Sequence, residues 1–167
     1  MATSAGAVEL SKVDDTQQFP LGLEHTVEPV MAGIASADLN RGVQVWVYVF
    51  NDEPSTAFSE GTLVQTDTAA GTTSYDGIVT TGAVSCGIIL GVAQHTIAAG
   101  SYGWILKRGQ GKVLCDGNVT AFTAICPDAS AGLATDVAAV TDASIGYALA
   151  DDTGASTLVT ARLNCPG

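Results

Sequence analysis

The sequence predicts an all-β fold, a compact antiparallel β-sandwich or barrel with an extended N-terminal arm. Short runs rich in Val, Ile and Thr recur along the chain, and 19 glycines separate them as turn residues do. Residues that favour helices, such as Leu, Glu, Lys and Gln, are scarce. With 167 residues the chain is long enough to bury a real core. We therefore predict an arm at 1–18 and a single all-β domain at 19–167.

The first part of the chain predicts the arm and an edge strand. Residues 1–18 are polar, small and without hydrophobic period, so they are expected to be ordered only where something holds them. From Phe19 the run FPLGLEH predicts a short strand, which Pro20 places at a sheet edge or at a strand entry. The turn-rich segment that follows is expected to contain one short strand near 30–34.

VQVWVYVF, at 43–50, predicts the strongest strand. Its alternate residues face opposite sides of a sheet, and both sides carry apolar bulk. One interpretation is a central strand that the chain covers on both faces. The other is that the aromatic face meets another subunit, because Trp and Tyr are favoured at interfaces. The candidate interface residues on that face are Trp46, Tyr48 and Phe50.

The second half of the chain contains several shorter strand patterns. GTLVQTD predicts a strand at 61–67, and one or two strands are expected within 78–94. Asp116-Gly117 is typical of a type I′ hairpin and separates VLC from NVTAFTAIC, which Pro127 ends. GLATDVAAVTD is assigned to strand and loop. The closing run STLVTARLN alternates, with Leu158, Thr160, Arg162 on one face and Val159, Ala161, Leu163 on the other.

The glycine-rich run GVAQHTIAAGSYGWILKRGQGK, at 91–112, combines a histidine with several cations. It predicts two strands with turns at 98–101 and 109–111. A similar order of residues recurs from Gly146, as GYALADDTGASTLVTARL, and two similar hairpins in one β-domain account for this repeat. A phosphate-binding P-loop is excluded, because Leu106 occupies the position of its first glycine and Val113 follows Lys112.

No constellation of residues predicts catalysis or a bound cofactor. The dinucleotide motif lacks its third glycine, and no serine lies in a G-x-S-x-G elbow. His95 and His25 have no evident acid and nucleophile beside them. The carboxylate pairs, such as Asp151-Asp152, are adjacent in sequence and point to opposite sides of a strand. We predict that the protein is not an enzyme and holds no catalytic, cofactor or metal site.

The four cysteines, Cys86, Cys115, Cys126 and Cys165, are widely spaced, without a C-x-x-C motif or a nearby histidine. This spacing does not suit zinc, and buried free thiols are expected. A bridge between Cys115 and Cys126 is the alternative if their strands pair.

Charge excludes further classes. The net charge is −11 with only 6 Lys and Arg, too few to neutralise a row of phosphates, so neither nucleic acid nor an anionic membrane is an expected partner. The N-terminus lacks the basic start and apolar run of a signal peptide, and we expect the protein to be made in a cytoplasm.

The order of several segments resembles small all-β capsid decoration, or cement, proteins of tailed bacteriophages. The segments that carry the resemblance are Phe19-x-Leu21-Gly22, Trp46-Val47-Tyr48-Val49, Gly91-Val92-Ala93-Gln94, Tyr102-Gly103-Trp104-Ile105 and Gly146-x-Ala148. The resemblance implies a structural virion protein on the outer capsid surface, made in the host cytoplasm. Its implied partners are the major capsid protein, whose neighbouring subunits it cements, and itself as a homotrimer.

The charge and the arm agree with that implication. Acidic character suits the outside of a shell better than its DNA-filled interior, and the arm could pair with a capsid edge by strand addition. Lys107 and Arg108 are candidate contacts to an acidic face of a neighbouring subunit. The alternative is a β-barrel receptor- or carbohydrate-binding module of a phage fibre or tail. A small hydrolase would need a triad that the sequence lacks.

Overall fold

The computed structural model describes residues 8–28, 42–69, 71–82, 85–137, 144–154 and 156–167. The predicted strand near 30–34 and part of the run GLATDVAAVTD lie outside these residues. Within them, ten strands and one 3₁₀ turn at Cys86–Ile88 make up the regular structure, which confirms the all-β class. No helix in these ranges is long and apolar enough to cross a membrane. The strands are β1 Glu24–Val27, β2 Gln44–Asn51, β3 Leu63–Thr66, β4 Asp76–Val79, β5 Ile89–Val92, β6 Tyr102–Cys115, β7 Ala124–Pro127, β8 Ala134–Asp136, β9 Gly146–Ala148 and β10 Thr157–Asn164.

Five strands close into a barrel. The order β2, β4, β3, β5, β6 returns to β2, because β6 pairs antiparallel with β2 from Tyr102 to Arg108. The β2–β4 pair is parallel and the other pairs are antiparallel. The interior of this barrel packs side chains from the odd-numbered face of β2 against other buried residues, namely Val47, Val49, Phe58, Val64, Leu90, Ile97 and Ile105.

The second half of β6 belongs to another ring of strands. From Arg108 to Cys115 it pairs with β10, and β9, β7 and β8 continue the sheet. A single pair, between Cys115 and Ala134, links β8 back to β6. The 14-residue strand β6 is thus shared by two rings of strands. Its first half pairs with β2 and its second half pairs with β10.

β2 is covered on both faces within the chain, which is the first of the two interpretations of that segment. Its Trp46 and Tyr48 belong to the larger core together with Trp104 and Leu106, whereas Val47 belongs to the barrel interior. The register between β2 and β6 shifts between Val45 and Trp46, so a bulge falls near the middle of β6.

The described part of the predicted arm packs on its own domain. Asp14 pairs with Tyr102 through two backbone hydrogen bonds, of 2.9 and 2.8 Å. Its side chain is buried, pairs with Lys12 at 2.7 Å and accepts a hydrogen bond of 3.0 Å from the Tyr48 hydroxyl. Val8 and other apolar residues of this segment rest against the core. Residues 8–18 therefore belong to the folded unit, and a separate function for an arm at 1–18 stays a prediction.

We expect Tyr48→Phe to lower the free energy of unfolding by about 1–3 kcal/mol, because it leaves the buried Asp14 carboxylate without the hydroxyl donor. Denaturant titration measures the loss. Tyr147→Phe, at a side chain that is 41% exposed, is the control and should change little. Equal stabilities of the two variants would show that the Tyr48 bond contributes nothing.

Two predicted turns are wrong. Asp116-Gly117 does not join a hairpin, because β6 pairs with β10 and β8 whereas β7 pairs with β8 and β9. The Asp116 side chain instead accepts a hydrogen bond from the Asn118 amide in a local turn. At 109–111 the chain does not reverse: β6 runs through, and Gly109, at φ 111°, absorbs a local distortion of the strand.

Other predictions from the pattern are confirmed. β10 buries Val159, Ala161 and Leu163 and turns the alternate residues outward. The turn at 98–101 forms with a bond of 3.2 Å from the Ser101 amide to the Ala98 carbonyl. The two related segments do form antiparallel pairs, β5 with β6 and β9 with β10.

Candidate contact surface

The aromatic interface candidates lie mostly inside the chain. Trp46 is 8% exposed and Tyr48 is fully buried, with its ring stacked on Tyr102 at 6.2 Å and tilted against Trp104 at 5.1 Å. Phe50 is half-buried and packs on the Tyr102 ring at 4.8 Å. Among these three candidates Phe50 is the one that is half-buried rather than buried, and its contact role stays a prediction.

The two basic candidates are adjacent residues at the bulge in β6, and their side chains lie on opposite sides of the strand. Lys107 points inward, is 7% exposed, and pairs through Nζ with Glu24 Oε1 of β1 at 2.7 Å. This position corrects the expectation that Lys107 offers a surface cation. Arg108, the next residue, is exposed and faces the opposite side. Its role as a contact stays a prediction.

The structure instead brings Arg108 together with two cations that the sequence interpretation did not select. In the β6–β10 ladder, Arg108 lies opposite Asn164, Gln110 opposite Arg162, and Lys112 opposite Thr160. Directly opposite residues on antiparallel strands share a face. The outer face of β6 and β10, here called the basic face, therefore carries Arg108, Lys112 and Arg162.

The basic face is the outer side of strands that have no acidic residue. None of the 17 Asp and Glu residues of the chain lies on β2, β6, β9 or β10. The Lys112 ammonium stays on this face, because it donates to the Thr160 hydroxyl at 2.9 Å. The protein thus combines a net charge of −11 with an outer face of β6 and β10 on which the charged side chains are all positive.

A depression of about 340 Å³ borders the basic face at β9 and β10. Arg162 and Tyr147, which are paired across the two strands, line it together with Asn164 and Ser144. Tyr147 is 41% exposed, and Arg162 makes no ion pair with the described residues. Guanidinium, phenol and amide groups converge here at a surface opening, an arrangement that suits an anionic or polyhydroxylated group.

The carboxylate pairs serve local structure. Asp152 Oδ2 accepts a bond from the Gly117 amide at 2.7 Å, and Asp151 Oδ1 accepts one from the Ala121 amide at 2.8 Å. Glu53 Oε1 accepts from the Val79 amide at 2.9 Å. No group of three or more metal-binding side chains occurs in the described ranges.

His95 is half-buried, and burial lowers its pKa below the ordinary value. Its Nε2 has no hydrogen-bond partner in the part of the chain that the structure describes. The neighbouring Gln94 has a structural contact: its side-chain amide bonds to both the amide and the carbonyl of Lys112, each at 2.8 Å. The segment that contains His95 therefore pins the loop before β6 to the end of that strand.

Cys115 and Cys165 are fully buried free thiols, so the alternative of a bridge between Cys115 and Cys126 is not what forms. Cys86 is also buried, and Cys126 is half-buried. Burial raises the pKa of Cys115 and of Cys165 to about 12, and it raises the pKa of Tyr48 to about 12 as well.

We expect the free energy of unfolding to fall as the pH rises from about 9. The unfolded chain releases its thiol protons near pH 9, whereas the folded chain keeps them until about pH 12, so the unfolded state binds fewer protons in that window. Each thiol contributes at most about 1.4 kcal/mol per pH unit. Denaturant titrations between pH 8 and 10.5 under reducing conditions measure the slope. Cys165→Ala should make it shallower, and a flat profile in the parent protein would contradict the assignment.

Comparison of the chain with protein-family models, with curated proteins and with solved structures found no match.

Proposed function

We propose that this protein is a structural virion protein that binds the outer surface of a phage head and cements neighbouring major capsid subunits, as a homotrimer. The observation that carries the proposal is the separation of charge over a rigid all-β body. The acidic remainder suits an outer surface, and one basic face gives it a defined side for contact with other proteins.

The construction of the fold supports a mechanical role. A single long strand belongs to both strand rings, and the half-buried ring of Phe19 packs on Trp104 of that strand. Backbone pairing is thus continuous between the two strand rings, which suits a part that ties subunits together. The resemblance in segment order to phage decoration proteins points to the same role.

A second candidate function is favoured by the depression beside Arg162 and Tyr147. An exposed aromatic ring next to guanidinium and amide groups is an arrangement that binds sugars, and this supports a receptor- or carbohydrate-binding module of a phage fibre or tail. The depression is lined by a few residues, mostly of β9 and β10, whereas cementing uses the whole basic face.

The experiment mixes the purified protein with phage heads that lack decoration, then separates bound from free protein by sedimentation. We expect saturable binding at a fixed ratio to the major capsid protein, and ordered density at symmetry-related positions by electron microscopy. Protein that stays in the supernatant while it binds a glycan array would replace the first function by the second.

A solution-mass measurement tests the trimer separately. A mass of three chains is expected. A free protein that stays monomeric at every concentration would contradict the trimer. Head binding would then be judged separately.

A further inference from the structure

We propose that the basic face binds an acidic, extended segment of a different protein chain, with one carboxylate of that segment seated in the depression beside Arg162. This inference deepens the proposed function and rests on it for the identity of the partner. The binding chemistry itself is argued from the residues of the face.

The spacing of the cations suits an extended acidic segment. Arg108 and Lys112 are four residues apart on one strand, a separation of roughly 13 Å at 3.3 Å per residue. Arg162 lies on the adjacent strand, roughly 5 Å to the side and between them in register. Acidic side chains at alternate positions of an extended peptide repeat every ~7 Å, so neighbouring carboxylates can reach successive cations on the face.

The depression supplies the specific part of the contact. The Arg162 guanidinium can bind a carboxylate with two parallel hydrogen bonds, and Tyr147 and Asn164 add donors at the same opening. Because no acidic residue lies on β6, β9 or β10, nothing on these strands competes for the guanidinium. A single carboxylate fixed here would set the register of the whole segment.

The charge distribution argues against other partners. Three surface cations in a chain of net charge −11 do not compensate a nucleic-acid backbone or an anionic bilayer. Contact with a second copy of the chain is a separate outcome, which the oligomeric state of Arg162→Glu distinguishes.

The test uses a synthetic peptide of alternating Glu and Ser as the probe, titrated into ¹⁵N-labelled full-length protein. We expect amide shifts confined to β6, β9 and β10, and affinity that falls as salt rises. Arg162→Glu should weaken binding at least tenfold, and Arg108→Glu should weaken it less. A matching Gln-Ser peptide should not bind.

The control variant is Thr56→Glu/Ala57→Glu, which changes the net charge as Arg162→Glu does. Both residues are exposed. The backbone carbonyl of Thr56 accepts a hydrogen bond from the Asn51 side chain, and the Asn51 amide bonds to the carbonyl of Ser101, just before β6. This places the new charges roughly 20 Å along the strand from Arg108. Peptide affinity should stay within twofold of the parent. An equal loss in the control and in Arg162→Glu would show that only net charge matters and would overturn the proposal.

Head binding by the same variants separates the two proposals. If the parent protein binds the peptide through Arg162 but does not bind heads, the inference stands and the proposed function is contradicted. If heads bind the parent and Arg162→Glu equally, the inference is contradicted and the proposed function stands. An oligomer that dissociates on Arg162→Glu, with no change in peptide affinity, would assign the face to self-contact and overturn the inference.

Discussion

Trp104→Ala is expected to lower the free energy of unfolding by about 3–5 kcal/mol, the range for removing a large buried aromatic side chain. Trp104 is 1% exposed and lies at the centre of an aromatic group, with ring centroids at 5.4 Å from Phe19 and 5.1 Å from Tyr48. Its loss leaves a cavity at the point where the N-terminal segment, β2 and β6 meet. Denaturant titration of the purified variant measures the change.

Phe122→Ala is the matched control for that substitution. It also removes an aromatic side chain, but Phe122 is 78% exposed, so the change should stay within about 0.5 kcal/mol. Trp104→Phe should recover part of the loss, because a ring still fills most of the space. A loss below about 1 kcal/mol for Trp104→Ala would contradict the central place of this residue in the core.

Gly146→Ala is expected to cost about 3 kcal/mol or more. Gly146 has φ 149°, and a Cβ placed on it would lie 2.1 Å from the backbone carbonyl oxygen of Arg162. The β9 backbone is held there by β10 on one side and by β7 on the other, so neither strand can move away without loss of pairing. Thermal or denaturant unfolding measures the cost.

Gly100→Ala separates the clash from the backbone conformation. Gly100 has φ 73°, but a Cβ on it would meet no atom within 4 Å, so only the left-handed backbone penalty of about 1 kcal/mol applies. The difference between the two variants is the steric part. Equal costs would show that the close approach of β9 and β10 is not as tight as the structure has it.

The sequence predicts burial most reliably where the alternation of residues within one strand is enough to assign its two faces. STLVTARLN alternates apart from the outward Leu158, and β10 buries and exposes its residues as the alternation requires. In VQVWVYVF both faces are apolar, which predicts coverage on both sides but not the identity of the covering elements. Part of the cover on the aromatic face comes from Phe19, and Val8 and Leu10 of the preceding segment also pack on the core, although its polar composition predicts an extended arm.

What the sequence does not predict depends on pairing between distant strands. Asp116-Gly117 is a strong local turn signal, yet Cys115 pairs with Thr157 rather than with a strand just after the turn. The inward position of Lys107 depends on the register between β2 and β6, which shifts by one residue beside it. The basic face depends on pairing between distant strands in the same way, because it forms where β6 and β10 pair. Its sequence signal is the outward position of Arg162 together with the lack of acidic residues on these strands.

Shell stability tests the central claim most directly. Undecorated phage heads are heated, with and without saturating protein, and their disruption is followed by light scattering and electron microscopy. Cementing predicts that the protein raises the disruption temperature of the heads, that Thr56→Glu/Ala57→Glu does the same, and that Arg162→Glu raises it less. Heads that bind the protein at a fixed ratio and yet break at an unchanged temperature would contradict a cementing role.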